Sequence, residues 1–287
     1  MTAPVEQNVA LQGFIDKWLA VQPQQRVALV FVDGRRYPGH VALAALEQEL
    51  LGAAYGIREP QVAAAKLNWW AEELAGAAAS GGLHPLTQVL FDDERAHAMA
   101  GDLWLAPVLA AMAQLEQGPA ADFPAQLDAA MPLHGALAAL ETAWWYGADA
   151  SPARAARLAT LNHLLYALLR LEQDAERDRL PLPMSRLARH GLSRAQLRAP
   201  NEAREHAVKA QLDDLLASWR ESATLAGPLS VFRALESRHG NQLAQRAAHT
   251  DNALAVLQTG QRHTGLATTL HAWQAARTWR RQLAEST

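Results

Sequence analysis

The chain has 287 residues, half of them hydrophobic, and a formal net charge of −3 at pH 7. This charge argues against nucleic-acid binding, which needs a strongly basic face. The chain has no cysteine, which excludes disulfides, thiolate catalysis and zinc–thiolate sites. The length is sufficient for one large domain with a substantial core.

The first third of the chain predicts amphipathic helices over 9–19, 39–56 and 59–76, because apolar residues recur there at three- and four-residue spacing. The run VALVFV at 27–32 is β-like, but the chain offers no partner strands, so we expect an apolar entry segment, extended or helical. Glu47 and Glu49 lie on the second helix, and the residues one turn on are Leu51 and Ala53. Since neither glutamate has a stacked acidic partner, a rim or surface position is favoured over metal ligation.

The next helices are predicted over 103–115 and 127–146, and Ser151-Pro152 opens a long third one. Its leucine stripe continues to Asp174 and Asp178, four residues apart and therefore on the same face. Two interpretations are open. The pair could bind Mg²⁺, which prefers carboxylates and bridges them to phosphates, or it could form a solvated helix end among neighbouring arginines and glutamates.

The remaining helices are predicted over 202–225, 230–239, 241–257 and 268–283, with a break at Gly240. The last helix carries Trp273, Trp279 and three arginines. Such a helix can lie on an anionic membrane, but arginine stems covering apolar surface are the favoured interpretation. No repeat or linker divides the chain, so a single domain over 1–287 is predicted.

Two segments resemble the squalene/phytoene synthase family. LEQDAERDRLPLPMSRLARHGLS, at 171–193, is similar to the family's second acidic motif, in which an aspartate-rich helix precedes Gly-Arg and Leu-Pro. AALEQELL, followed by IREPQVAAAKLNWWAEEL at 57–74, is similar to its first acidic helix and the next helix. The spacing from Glu49 to Trp70 also resembles the branch that contains the mitochondrial complex I assembly factor of animals. The resemblance covers roughly 27–280.

The resemblance implies an all-α isoprenoid (terpenoid) synthase bundle whose central apolar cavity is closed by two acidic helices. In active members, Mg²⁺ held by both helices assists the head-to-head joining of two prenyl diphosphates, and squalene formation also uses NADPH. Here Arg170 stands where the family has its first aspartate of the second motif, and Asp178 stands on the usual glycine. If the chain is active, its metal ligands are expected among Asp174, Asp178, Glu47 and Glu49. Candidate diphosphate-binding residues are Arg170 and Arg179, and candidate pocket residues are Leu46, Leu50, Trp70, Leu137, Leu164, Leu168 and Leu171.

Two functional hypotheses follow. The first is a protein that keeps the fold, has lost Mg²⁺-dependent condensation, and binds an isoprenoid or lipid-like molecule or a protein partner. The second is an active prenyltransferase with an unusual Mg²⁺ site, in which Glu47 or Glu49 faces Asp174 across the cavity. No cofactor is expected unless the second hypothesis holds. We expect neither a signal peptide nor a membrane-spanning segment, and a cytoplasmic location.

Overall fold

The structure is a computed structural model that describes residues 3–177 and 179–285. Over these residues the chain is helical and contains no strand, so the predicted all-α fold class is confirmed. The first half comprises α1 (Ala3–Val21), α2 (Gln25–Ala28), α3 (Pro38–Leu51), a π-helical turn (Gly52–Gly56), α4 (Pro60–Ser80), α5 (Pro85–Phe91), α6 (Glu94–Ala98), α7 (Gly101–Gln114) and α8 (Phe123–Tyr146). The second half comprises α9 (Ala153–Leu169), α10 (Leu171–Glu176), α11 (Met184–Arg189), a 3₁₀ turn (Ala195–Arg198), α12 (Glu202–Ser222), α13 (Val231–Ala248), α14 (Ala253–Gln261) and α15 (Leu266–Glu285).

Most helix starts follow from local sequence. Side chains of Asp122, Asn201 and Ser230 accept hydrogen bonds from backbone N–H groups in the first turns of α8, α12 and α13. These groups have no partner within the helix, so a capping oxygen typically stabilises the start by about 1 kcal/mol. Proline occupies the first turns of α3 and α4, where its missing N–H costs nothing.

The apolar run at 27–32, which was expected to be extended or helical, begins in the short helix α2 and continues as turns. Two other local expectations need correction. The predicted break at Gly240 is wrong, because α13 runs through it and uses its lack of a side chain to approach Asn162 on α9. The predicted long helix through the acidic segment is interrupted at Arg170, whose φ of −99° and ψ of 12° end α9 before α10 begins.

Two apolar cores hold the helices together. The first joins α1 through α8 with α13 and α15, and the second joins α8 through α10 with α11 to α14. Glu47 on α3, Glu141 on α8 and Arg233 on α13 are buried polar side chains among these helices. No described helix is both long and apolar enough to cross a bilayer.

We predict that Gly39→Ala lowers the free energy of unfolding by about 1–3 kcal/mol, the usual cost of overpacking a core. An added Cβ would lie 2.4 Å from Cζ2 of Trp144, and that ring is only 1% exposed and cannot move aside. Urea denaturation measures the change.

Gly76→Ala on α4 is the matched control. No atom lies within 4 Å of an added Cβ there, so alanine should raise stability by up to about 1 kcal/mol through its helix propensity. Equal effects of the two substitutions would show that α3 does not depend on close packing at Gly39.

Candidate functional site

A cavity of about 180 Å³ lies between α1, α3, α8, α9, α10 and α13. Part of its wall is aromatic or aliphatic, and this part comprises Trp18, Val21, Leu51, Tyr55, Tyr166 and Phe232. Another part of the wall is charged, and this part comprises Glu47, Glu141, Arg170, Asp174, Arg177, Arg233 and Glu236. The predicted central cavity is therefore present, and it has a strongly polar side.

The polar side is built around Arg233, which bonds to three carboxylates. Its Nε lies 2.9 Å from Glu141 Oε2, its Nη1 2.7 Å from Glu236 Oε2, and its Nη2 3.0 Å from Glu47 Oε2. All four side chains are buried, with 6–11% of their surface exposed. We call Arg233, Glu47, Glu141 and Glu236 the Arg233 cluster.

The Arg233 cluster has more negative than positive groups. The pKa of Glu47 is raised well above its ordinary value, mainly by burial and secondly by the neighbouring Glu141. Burial likewise raises the pKa of Glu236. Burial by itself opposes the charge on Arg233, but the three carboxylates raise its pKa. The guanidinium is therefore permanently charged, while the raised pKa values of Glu47 and Glu236 mean that these two carboxyl groups tend to retain protons.

The two glutamates predicted on α3 have different surroundings, and both are buried rather than on the surface. Glu47 lines the cavity within the Arg233 cluster. Glu49 lies outside the set of described residues that line it, and bonds to Lys66 at 2.7 Å and Lys17 at 3.4 Å. Burial opposes the charge on Glu49, but the two lysines hold its pKa below the ordinary value.

Near the second acidic segment the cavity is lined by Arg170, Asp174 and Arg177. Nε of Arg170 lies 3.8 Å from Oδ2 of Asp174, an i,i+4 pair across the break between α9 and α10. Burial raises the pKa of Asp174 although arginines surround it. Asp178, the other predicted metal ligand of this segment, lies outside the described residues. Because 39% of the Arg170 side chain is exposed, this end is the more open one.

Arg179, a predicted diphosphate ligand, is engaged with the backbone. Its guanidinium donates to the carbonyl oxygens of Tyr55 and of Ile57, the latter at 2.7 Å. These carbonyls lie at the end of the π-helical turn that follows α3. Arg179 therefore connects the second acidic segment to the end of α3.

A second cavity of about 360 Å³ shares part of its wall with the central cavity, and two of the three rings that pack together there line both cavities. The ring of His163 lies 4.2 Å from that of Tyr55 and 4.5 Å from that of His134, centroid to centroid. Tyr55, His163, Arg170 and Asp174 line both cavities. Burial, assisted by Arg170, lowers the pKa of His163 to about 3, so this ring is neutral at physiological pH.

The residues present do not fit the Mg²⁺ cluster that the resemblance implies. Gln48 on α3 and Gly52 in the turn after it are four residues apart and line the cavity. Neither of them carries a carboxylate. Glu47 and Asp174 do face the same cavity, but each is paired with an arginine. Within the described ranges no group of three or more His, Asp or Glu side chains is arranged to hold a metal ion.

The predicted pocket residues lie mostly in the packed core. Leu46, Leu50, Trp70 and Leu137 belong to the first core, and the three leucines of α9 and α10 to the second. Leu164 also lines the second cavity. None of the seven is among the described residues that line the central cavity.

No protein-family model matches the chain, and no curated protein matches it either. Solved structures do. Squalene synthase HpnC from Alicyclobacillus acidocaldarius superposes with a TM-score of 0.58 at 13% identity, over 97% of each chain. The chain has a squalene-synthase-like fold. A dehydrosqualene synthase solved in complex with ligand shares this squalene-synthase-like fold, with a TM-score of 0.62 at 10% identity, over 95% of this chain and 99% of that one. The terpenoid-synthase bundle predicted from the two acidic segments is thus confirmed.

Sequence reasoning missed Glu141, Arg233 and Glu236. Glu141 stands alone in the apolar run GALAALETAWW, and Arg233 and Glu236 are three apart in VFRALE. A single charge on the apolar side of a helix is a signal of burial with a partner, because an unpaired buried charge is costly. Which charges pair could not be read from the chain, since Glu47 and Arg233 are 186 residues apart.

We predict that Glu47→Gln weakens the dependence of stability on pH. Because the folded-state pKa of Glu47 is raised, its contribution is fully present below the ordinary value of 4.5 and is lost as pH rises towards the raised value. Wild-type stability should therefore fall over this window, by about 1.4 kcal/mol for every unit by which the pKa is raised. Glutamine keeps the shape of the side chain and an acceptor for Arg233, and it does not titrate. The variant should therefore lose less stability than the wild type as the pH rises.

Urea denaturation at several pH values from 5 to 9 measures this slope. Glu236 retains its own raised pKa, so the slope should shrink without vanishing. Glu116→Gln, at an exposed position, should leave the wild-type slope unchanged. A Glu47→Gln slope as steep as that of the wild type would contradict the prediction.

Proposed function

We propose that this protein binds an isoprenoid or other lipid-like molecule in the central cavity and does not condense prenyl diphosphates with Mg²⁺. The observation that carries the proposal is the pairing of the cavity carboxylates with fixed cations. Glu47 is bonded to Arg233, and Asp174 lies beside Arg170. A guanidinium at such a position repels Mg²⁺ and competes for the same oxygens.

The size of the cavity supports the same proposal. Its volume of about 180 Å³ is below the roughly 300–1,000 Å³ of typical small-molecule pockets. Two prenyl chains and their diphosphates need considerably more space. One end of a single amphiphilic ligand fits, with apolar contacts to Trp18, Leu51 and Phe232.

A second candidate is an active prenyltransferase, which the placement of Glu47 and Asp174 on one cavity favours. It requires both carboxylates to leave their arginines when Mg²⁺ and substrate enter. Action through a protein partner, as the resemblance to the assembly-factor branch suggests, stays a prediction.

The deciding experiment is turnover of labelled farnesyl and geranylgeranyl diphosphate with Mg²⁺, with and without NADPH. We expect no product and no pyrophosphate from the wild type. Mg²⁺-dependent pyrophosphate release that Asp174→Ala abolishes would overturn the proposal in favour of the prenyltransferase. Activity gained by Arg170→Asp would show that the cation at this position is what prevents metal binding.

Ligand binding is tested with farnesol by isothermal titration calorimetry. Gly52 lines the cavity, and no atom lies within 4 Å of a Cβ added there. Gly52→Leu should therefore fill the cavity without a backbone clash and weaken farnesol binding at least about ten-fold, the effect of roughly 1.4 kcal/mol. Gly76→Leu, at an exposed position on α4 with equally open space, should bind as the wild type does. No farnesol binding by the wild type, or equal affinities of the two variants, would argue against this cavity as the binding site.

A further inference from the structure

The charges on the cavity wall are unbalanced in one direction. The Arg233 cluster offers three carboxylates to one guanidinium, which leaves two negative charges without a matching cation when all are ionised. The other guanidiniums on the wall belong to Arg170, which is paired with Asp174, and to Arg177. The described wall as a whole therefore carries four carboxylates and three guanidiniums. A buried excess of negative charge is costly, because the low-dielectric interior does not screen it.

Unpartnered polar atoms on the same wall point to a hydrogen-bond donor. The side-chain amide nitrogen of Gln25 donates to the Phe232 carbonyl at 3.0 Å and to Gln22 Oε1 at 3.2 Å, but its Oε1 has no partner. Nε2 of His134 also lacks one. Gln25 is 1% exposed and His134 3% exposed, and both line the cavity. A buried acceptor without a donor is unfavourable, so a ligand that donates a hydrogen bond to it gains affinity.

Aromatic rings complete the wall. Trp18, Tyr55, Tyr166 and Phe232 line the cavity beside the carboxylates. Ring faces attract organic cations, and the attraction grows when the cation is desolvated. An inorganic cation gains little from such rings and needs several converging oxygens, for which the described residues offer no suitable group.

We propose that the central cavity recognises an organic ammonium group, which bonds to Glu47, to the unpartnered Gln25 Oε1 and, in the tautomer of His134 that carries its proton on Nδ1, to His134 Nε2, and which lies against the aromatic wall. This inference rests on the proposed function only in taking the cavity as a ligand site, and it specifies the polar end of the ligand. The volume of about 180 Å³ suits one ring with an attached amine, since a cavity of about 150 Å³ accommodates benzene.

The test compares benzylamine with benzyl alcohol, which have the same number of non-hydrogen atoms and differ in charge. Titration calorimetry of the wild type at pH 7.5 should show the amine binding at least ten-fold more tightly. Repeating the titration in two buffers of different ionisation enthalpy measures proton release. Protons should be released on amine binding, because the ammonium group replaces a proton held by the Arg233 cluster. Equal affinities of the two compounds, or tighter binding of the alcohol, would overturn the inference.

Glu47→Gln should weaken amine binding at least ten-fold and reduce proton release, and it should weaken benzyl alcohol binding by a smaller factor. Glu116→Gln, on the surface, is the matched control and should behave as the wild type does. Equal amine affinities of these two variants would show that the amine binds elsewhere and would overturn the inference.

If Glu47→Gln does not fold, the pH dependence of amine binding to the wild type tests the inference. Amine affinity should rise from pH 6 to pH 8 as the cluster becomes easier to deprotonate, and benzyl alcohol affinity should not change. An amine affinity that does not change with pH would count against the inference.

The titratable and charged groups that share the cavity with Glu47 are Tyr55 after α3, His134 and Glu141 on α8, His163 and Tyr166 on α9, Arg170, Asp174 and Arg177 at and after the α9–α10 break, and Arg233 and Glu236 on α13.

The outcomes separate this inference from the proposed function. If farnesol binds and Gly52→Leu weakens it, while benzylamine gains nothing over benzyl alcohol, the cavity is a ligand site and the ammonium assignment is wrong. If none of the three compounds binds the wild type, both proposals fail.

Discussion

The bonds between Arg233 and three glutamates connect the helices on which the cavity depends. Glu47 is on α3, Glu141 on α8, and Arg233 and Glu236 on α13. Losing one partner of a buried ion pair typically costs about 3–5 kcal/mol, because the other charge is left without compensation. The relative positions of α3, α8 and α13 are therefore tied to this cluster as well as to the apolar cores. The same bonds direct Glu47 towards a guanidinium instead of leaving it free for a metal ion.

A second connection acts at the opposite end of the cavity. Arg179 bonds to the carbonyls that end the turn after α3, and Arg170 lies beside Asp174. Both arginines were candidates for diphosphate binding, and in the structure both side chains contact groups of the protein. The squalene-synthase-like fold does not by itself establish the chemistry of this cavity, since function resides in the site and not in the fold.

Much of the fold could be predicted from the sequence, because helix periodicity, caps and prolines are local signals. The start of α12 at Asn201 and the first-turn proline of α4 are examples. The misplaced break at Gly240 shows the limit of local reasoning. Glycine is a weak helix former, but here its missing side chain permits close packing on Asn162 from another helix. The break at Arg170 carries no glycine or proline signal of its own.

The candidate site, like the fold, could be predicted from the sequence only in part. The sequence by itself determined which charged residues stand on which helices, that the chain is all-α, and that carboxylate pairs four residues apart are missing from α3. Only the tertiary structure decided that Glu47 and Asp174 share one cavity, that Glu49 bonds to lysines outside it, and that Glu141, Arg233 and Glu236 complete a buried cluster. The physical reason is that pairing between charges far apart in sequence depends on how helices pack. A helix reveals its own buried face through its periodicity, but it does not reveal what it packs against.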